Sequence, residues 1–229
     1  MSATAESIAS TTPKTTKSAV ETAHINEQTS SQKRSKVARV LPWILVIAGV
    51  LGLIGATVIT YDKMQLLQNP AYKPSCNLNP IISCGSVMSS AQSHVFGFSN
   101  SFIGMAAFPV LITIGMAIFA GATFKKWFWR GLNIGAFLGV VFVHWLFFQS
   151  VYRIHALCPW CMLVWICTIT TFVYSTTYNL EIGALTFGKA TGKITEFMRQ
   201  HHLDLLLFWL LIIAAFILKH FWYYYGKYL

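Results

Sequence analysis

Along the chain, long runs of uncharged apolar residues alternate with short polar and basic breaks. Residues 41–60 carry no charge at all. At ~1.5 Å per residue, a helix of about twenty residues crosses the ~30 Å hydrocarbon core of a bilayer. Four further runs are long and apolar: residues 101–122, 131–152 and 159–178, which contain no Asp, Glu, Lys or Arg, and residues 204–222, with Asp204 and Lys219 near its ends. The second is interrupted only by Gly104, Pro109, Gly115 and Gly121, which membrane helices tolerate better than soluble ones. The pattern predicts five membrane-spanning helices. A cleaved signal peptide has a short charged start and an apolar stretch of roughly 7–15 residues. Here the leading segment is long and the first apolar run exceeds that length, so it reads as a retained span.

The segments between the runs complete the layout. Residues 1–36 are rich in Ser, Thr and Ala and poor in large apolar side chains, so they are expected to be a disordered tail on the cytoplasmic side. Residues 37–178 hold four spans, with a polar loop at 61–100 outside the bilayer. In that loop the stretch after Cys84 is expected to form a short helix lying on the mouth of the bundle. Residues 179–202 read as a mildly basic connector, part of it an amphipathic helix, and residues 203–229 as the fifth span with a short end. Tyr223, Tyr224 and Tyr225 suit an interfacial aromatic belt.

Composition agrees with this reading. The 229 residues are 55% hydrophobic and 10% charged, whereas soluble domains carry roughly 25% charged residues. The fold class is therefore an all-α integral membrane protein. The formal charge of +10 is not a nucleic-acid footprint, because basic residues flanking apolar spans set membrane orientation. One side collects Lys33, Arg34, Lys36, Arg39, Lys125, Lys126, Arg130, Lys189, Lys193 and Arg199. The other holds Lys63, Lys73, Arg153, Lys219 and Lys227. Ten against five places the N-terminus in the cytoplasm. The loop with Cys76 and Cys84, and the mouth with Cys158 and Cys161, then share the opposite, oxidising side.

Of the five cysteines, four thus gather on one face. Pro159 suits the first turn of a helix, where its missing N–H costs nothing. That puts both sulfurs of Cys158-Pro159-Trp160-Cys161 near a helix N-terminus, which favours a thiolate. Three readings are open. Four cysteine ligands could hold a metal, although zinc pairs usually have short internal spacings and Cys76 and Cys84 lie eight apart in a loop. Static disulfides are the ordinary expectation for an outward loop, yet a bridge between Cys158 and Cys161 staples nothing distant. The third reading is a relay of thiol–disulfide exchanges, which needs one mobile and one fixed pair.

Cys76-x7-Cys84, the run Ser-Cys-Gly-Ser-Val-Met-Ser-Ser ending at Ser90, Ser99-Asn-Ser-Phe-Ile-Gly104 and Cys158-x-x-Cys161, in this order, resemble the vitamin K epoxide reductase family. The similarity covers roughly residues 41–178 and is greatest to the bacterial, disulfide-forming branch. It implies a four-helix bundle around a quinone (menaquinone or ubiquinone, vitamin K-like), with the loop cysteines above it and a fifth helix alongside. It implies a quinone-coupled thiol–disulfide oxidoreductase of the inner (plasma) membrane. Its partner would be an extracytoplasmic thioredoxin-fold thiol oxidase of the DsbA kind. Many family members fuse a thioredoxin-like domain after the fifth span; here the chain ends at Leu229, so a separate partner protein is expected. Alternatives are vitamin K quinone or epoxide reduction with the same residues, or a membrane scaffold or transporter with static disulfides.

Carried over by motif position, Cys76 is the shuttle cysteine that meets the partner, Cys84 exchanges with Cys158, and Cys161 lies beside the quinone. Asn100 matches a family position whose amide donates to a quinone oxygen; the plain alternative is a helix N-cap. Ser90 matches a Ser/Thr near the quinone, or else caps the loop helix. Trp165 shares a helix face with Cys161. The family often has a tyrosine there, whose hydroxyl reaches the other quinone oxygen; Trp165 departs from this with an indole N–H. Val87, Met88, Ile103 and Leu146 match an apolar pocket lining. Cys167 reads as a small buried apolar residue, and His144 as a neutral histidine bonded to a neighbouring helix, with a proton path as the alternative. Arg153 and His155 either stabilise the Cys158 thiolate or mark the interface.

Overall fold

The computed structural model describes residues 36–186 and 191–225. The tail at 1–35 and residues 187–190 and 226–229 lie outside the described residues, as do the side chains of Tyr223, Tyr224 and Tyr225. Among the described residues the fold is all-α, and five helices are long and apolar enough to cross a membrane. They are α1 (Lys36–Gln68), α3 (Ser101–Phe119), α4 (Lys126–Gln149), α5 (Pro159–Glu181) and α6 (Thr191–Tyr225). A short helix α2 (Cys84–Ser89) and a 3₁₀ turn (Ala91–His94) lie in the loop between α1 and α3.

Glycines let α1 and α3 approach closely, as packed membrane helices require. A Cβ on Gly52 would fall 2.3 Å from the Phe108 ring, and one on Gly115 would fall 2.6 Å from Val46 and 3.0 Å from the Pro42 carbonyl. Polar side chains join α4 to α5: Asn133 donates to Ser175 (3.2 Å) and Thr176 (2.7 Å), and Asn179 donates to the Trp129 carbonyl (3.0 Å). Away from the cysteines, Leu41, Ile114, Trp129, Ile169 and Leu206 bring all five long helices into one core.

Several boundaries differ from the hydrophobic pattern; α4, for one, starts at Lys126 rather than at residue 131. The helix α1 runs two turns past the apolar segment, so residues 61–68, expected in the outer loop, are helical. Their charges find partners there: Tyr72 donates to Asp62 (3.0 Å), and Lys63 donates to the Met88 carbonyl and to Ser93 (2.5 Å). Likewise α6 begins at Thr191, inside the expected connector, and its backbone breaks at His201 (φ −115°, ψ 21°). Last, α4 ends in a π-helical turn (Ser150–Ile154) closed by His155 in the left-handed region (φ 56°). Histidine is among the few non-glycine residues enriched there.

That reversal at His155 aims the next residues along the loop that precedes α2. Leu157 N–H donates to the Ile81 carbonyl (2.7 Å), and Ser83 N–H donates to the Leu157 carbonyl (3.0 Å). The result is an isolated parallel bridge, Ile82 with Leu157. Each side of this bridge leads directly into a helix that starts at a cysteine, Cys84 for α2 and Cys158 for α5.

Candidate functional site

The loop strand enters α2 through Ser83, the N-cap, whose hydroxyl accepts from the Ser86 N–H (3.3 Å). Asn79 Oδ1 accepts from the N–H groups of Ile81 (2.9 Å) and Ile82 (2.7 Å), and Asn77 Oδ1 accepts from the Gly85 N–H (2.9 Å). A Cβ at position 85 would meet the Asn77 amide at 2.9 Å, so a larger residue there would push that amide out of its present place. These local bonds hold Cys84 fully buried at the first position of α2. It forms a disulfide with Cys76, across a Cα separation of 5.7 Å.

The other strand of the bridge delivers Cys158, the N-cap of α5, with Pro159 in the first helical turn. Its thiol lies 3.2 Å from the sulfur of Cys84. Cys158, Cys161 and Cys167 are free thiols. The Cys158 thiol is held below its ordinary value, first by a hydrogen bond from Cys161 and then by the Cys161 and Trp160 N–H groups, against burial and the nearby negative charge of Asp62. A helix N-terminus with a donor thiol is a setting that favours thiolate. The sulfurs of Cys76, Cys84 and Cys158 lie within 4.8 Å of one another, which is metal-cluster spacing. Two of the three are already bonded to each other, however, and disulfide sulfurs are not thiolate ligands.

Below the cysteines, a cavity of about 570 Å³ runs between the helices of the bundle, and Cys161 lines it. So do Val87, Met88 and Ser90 from the α2 region, Asn100 and Ile103 from the start of α3, Leu146 from α4 and Trp165 from α5. Every residue singled out for the pocket therefore faces one space. Their side-chain bonds differ from the simplest expectations. Asn100 stands at the N-cap of α3 without a capping bond. Instead its amide donates to the Gln92 carbonyl (2.7 Å) and accepts from the Val95 N–H (3.2 Å), fixing the 3₁₀ turn over the cavity. The Ser90 hydroxyl donates to the Val87 carbonyl (2.7 Å), and Trp165 packs edge-on against Phe147 at 5.7 Å.

Several secondary assignments also resolve. His144 Nδ1 faces the Val140 carbonyl (2.8 Å), and Nε2 accepts from the Trp209 indole (3.0 Å), so it is a neutral histidine tying α4 to α6. Cys167 is buried among Ala48, Ala56 and Phe108, apart from the other sulfurs. His155 turns towards α6 rather than towards the thiol: its ring stacks on His220, with Nδ1 3.2 Å from His220 Nε2. Asp62 and Lys63, assigned from their charge to the outer loop, belong to the site. Lys63 lines the cavity mouth. Asp62 is on the face of α1 where Ile59 and Leu66 pack against the cysteines. The available signal was helical spacing, since residues 59, 62 and 66 share a face.

A family model described as the vitamin K epoxide reductase family matches residues 43–176. No curated protein matches the chain.

Proposed function

The chain belongs to the vitamin K epoxide reductase family, and from that membership we propose that it is a quinone-dependent thiol oxidase of the membrane. It would reoxidise an extracytoplasmic thioredoxin-fold thiol oxidase of the DsbA kind. Electrons would pass from that protein to Cys76 and Cys84, then to Cys158 and Cys161, and then to a quinone in the lipid. The observation that carries the reading is the 3.2 Å between Cys84 and Cys158, together with the place of Cys161 on the cavity wall.

The exchange follows from known thiol chemistry. The Cys84 thiolate attacks Cys158 of a closed Cys158–Cys161 disulfide. The Cys84–Cys158 bond forms, the Cys158–Cys161 bond breaks, and Cys161 leaves as thiolate. Cys76 then attacks Cys84, closing the loop disulfide and releasing Cys158. Two thiols are oxidised, one disulfide is reduced, and two electrons and two protons move inward. The arrangement described above, with a closed loop disulfide and a reduced inner pair, corresponds to the end of this step. The low value held at Cys158 makes it a good leaving group, which favours the inward direction.

The lining of the cavity fits a quinone. Its walls are mostly apolar; Lys63, Ser90, Ser93 and Asn100 are among the polar groups contributed by the segments around the loop helix, and Thr168 and Thr171 add hydroxyls further along α5. Asn100, with one amide hydrogen left beside its bond to Gln92, would hold a quinone oxygen, and Ser90 would join it by giving up its bond to the Val87 carbonyl; Val87, Met88, Ile103, Leu146 and Trp165 would enclose the ring and tail. When bound, a quinone supplies the two-electron, two-proton acceptor that the thiols lack. The chain's own part is to present Cys161 and exclude water.

The test is quinone reduction by the purified protein given a reduced thioredoxin-like donor. Cys161→Ser should abolish turnover, and Cys84→Ser or Cys158→Ser should accumulate mixed disulfides visible on non-reducing gels. Full turnover in Cys161→Ser, or disulfides that stay closed whatever thiol and quinone are added, would refute the relay and leave a static scaffold.

A further inference from the structure

The cysteine cluster is closed to water: Cys84 and Cys158 are at most 1% exposed, and Cys76 is 8% exposed. Thiol exchange nevertheless has to strip a proton from an attacking thiol and return one to a leaving thiolate. Asp62 is the buried acid beside this cluster. It is 4% exposed, on the α1 face between Ile59 and Leu66, which both pack against the cysteines. One carboxylate oxygen accepts from the Tyr72 phenol (3.0 Å), whereas the other, Oδ2, has no hydrogen-bond partner. An orphaned buried carboxylate oxygen is unfavourable, and such a group calls for an explanation.

We propose that Asp62 is the proton acceptor and donor for the exchange between the loop and inner cysteine pairs, with Oδ2 as its working atom. This inference rests on the relay reading above. As Cys84 attacks the Cys158–Cys161 disulfide, its proton passes to Asp62. Cys161 leaves as thiolate and takes up the proton that Cys76 loses as it attacks Cys84; when Cys158 is released in that step, Asp62 returns a proton to it. No net proton enters or leaves the cluster through Asp62. The electrostatics favour this route. A thiolate formed beside an ionised Asp62 would place two negative charges in a dry site, which is unfavourable; moving the proton from sulfur to carboxylate keeps the total at one.

The groups around Asp62 suit the role. Tyr72 comes from the loop, and its hydrogen bond to Asp62, with some burial and the charges of Asp62 and Tyr61, raises the phenol above its ordinary value. It thus remains a donor and holds Oδ1 while Oδ2 stays available. From α5 the group that feels the charge of Asp62 is Cys158. On α1 itself, Tyr61 adjoins, and Lys63 is occupied with Met88 and Ser93 at the cavity mouth.

The experiment uses the full chain in lipid nanodiscs, with the inner pair oxidised. The protein is mixed with a reduced thioredoxin-like donor, quenched with acid, alkylated, and scored by mass for newly reduced Cys158 and Cys161. In the unsubstituted chain the rate should vary little with pH in the neutral range. Asp62→Asn keeps the acceptor for Tyr72 but cannot take a proton. It should be slower by about 100-fold near neutral pH, with a rate that climbs about tenfold per pH unit as free thiolate replaces the lost base. Asp62→Glu should keep the flat profile, even if slower. Superposable profiles for Asp62→Asn and the unsubstituted chain would overturn the proposal. So would loss of the flat profile in Asp62→Glu, which would mark a role of shape alone. If the unsubstituted chain hands no electrons to Cys158 and Cys161, the relay itself fails and this proposal goes with it.

Discussion

At the scale of single residues, the site depends on how one sulfur is ionised. The Cys158 thiol is lowered chiefly because Cys161 donates to it, with help from N–H groups at the start of α5. The sign follows directly. A thiol held low keeps its thiolate above that value and loses it only as pH falls through it, below the range of a free cysteine. Cys161→Ala removes the principal donor, so the ionisation midpoint of Cys158 should move up. Ultraviolet thiolate absorbance against pH would measure it; an unmoved midpoint would mean that the helix terminus alone sets the value. Cys161→Ser, whose hydroxyl can still donate, should move it less. At this scale the sequence was informative where chemistry is local. Cys158, Pro159 and Cys161 declared a helix start, and Trp165 declared its shared face. The contact of Cys158 with Cys84 was not legible in the same way, since it depends on two segments some seventy residues apart.

At the scale of elements, that contact is made by backbone. The Ile82–Leu157 bridge aligns two helix starts, and the end of α6 supports the bridge from behind. Phe221 is wholly buried in a cluster with Ile81, Val151 and Leu157. Yet α6 lies outside the matched family segment, and the hydrophobic pattern alone gave it no task beyond anchoring. Phe221→Ala should remove about 3–5 kcal/mol of packing if the site cannot collapse. The expected readout is a slower exchange from the loop pair to the inner pair, while reduction of a soluble quinone by small dithiols acting directly on the inner pair is unchanged. Equal slowing of both reactions would show general unfolding instead. Helix number and order were legible because each span is an uninterrupted apolar run. Helix ends were not, because Asp62 and Lys63 look like loop residues until their partners Tyr72, Met88 and Ser93 are known.

At the scale of the whole molecule, the proposed reaction would have a direction across the bilayer, and the distribution of charge argues for one. Among the described residues, Arg39, Lys125, Lys126, Arg130, Lys193 and Arg199 mark the end away from the cysteines; Lys63, Lys73, Arg153 and Lys219 mark the end that carries them. Basic residues close to span ends are retained on the cytoplasmic side, so the cysteine end should face outward. A disulfide between Cys76 and Cys84 is sustained in oxidising compartments and not by the reducing cytosol. Two independent arguments, one from insertion and one from redox poise, thus agree. Lys125→Cys, placed at the N-cap of α4, gives the test. In intact cells treated with a reductant and then an impermeant maleimide, the loop cysteines should be labelled, and Cys at position 125 only after permeabilisation. Labelling of position 125 from outside would invert the chain. It would put the loop disulfide against a reducing cytosol, where an oxidase of extracytoplasmic thiols could have no substrate.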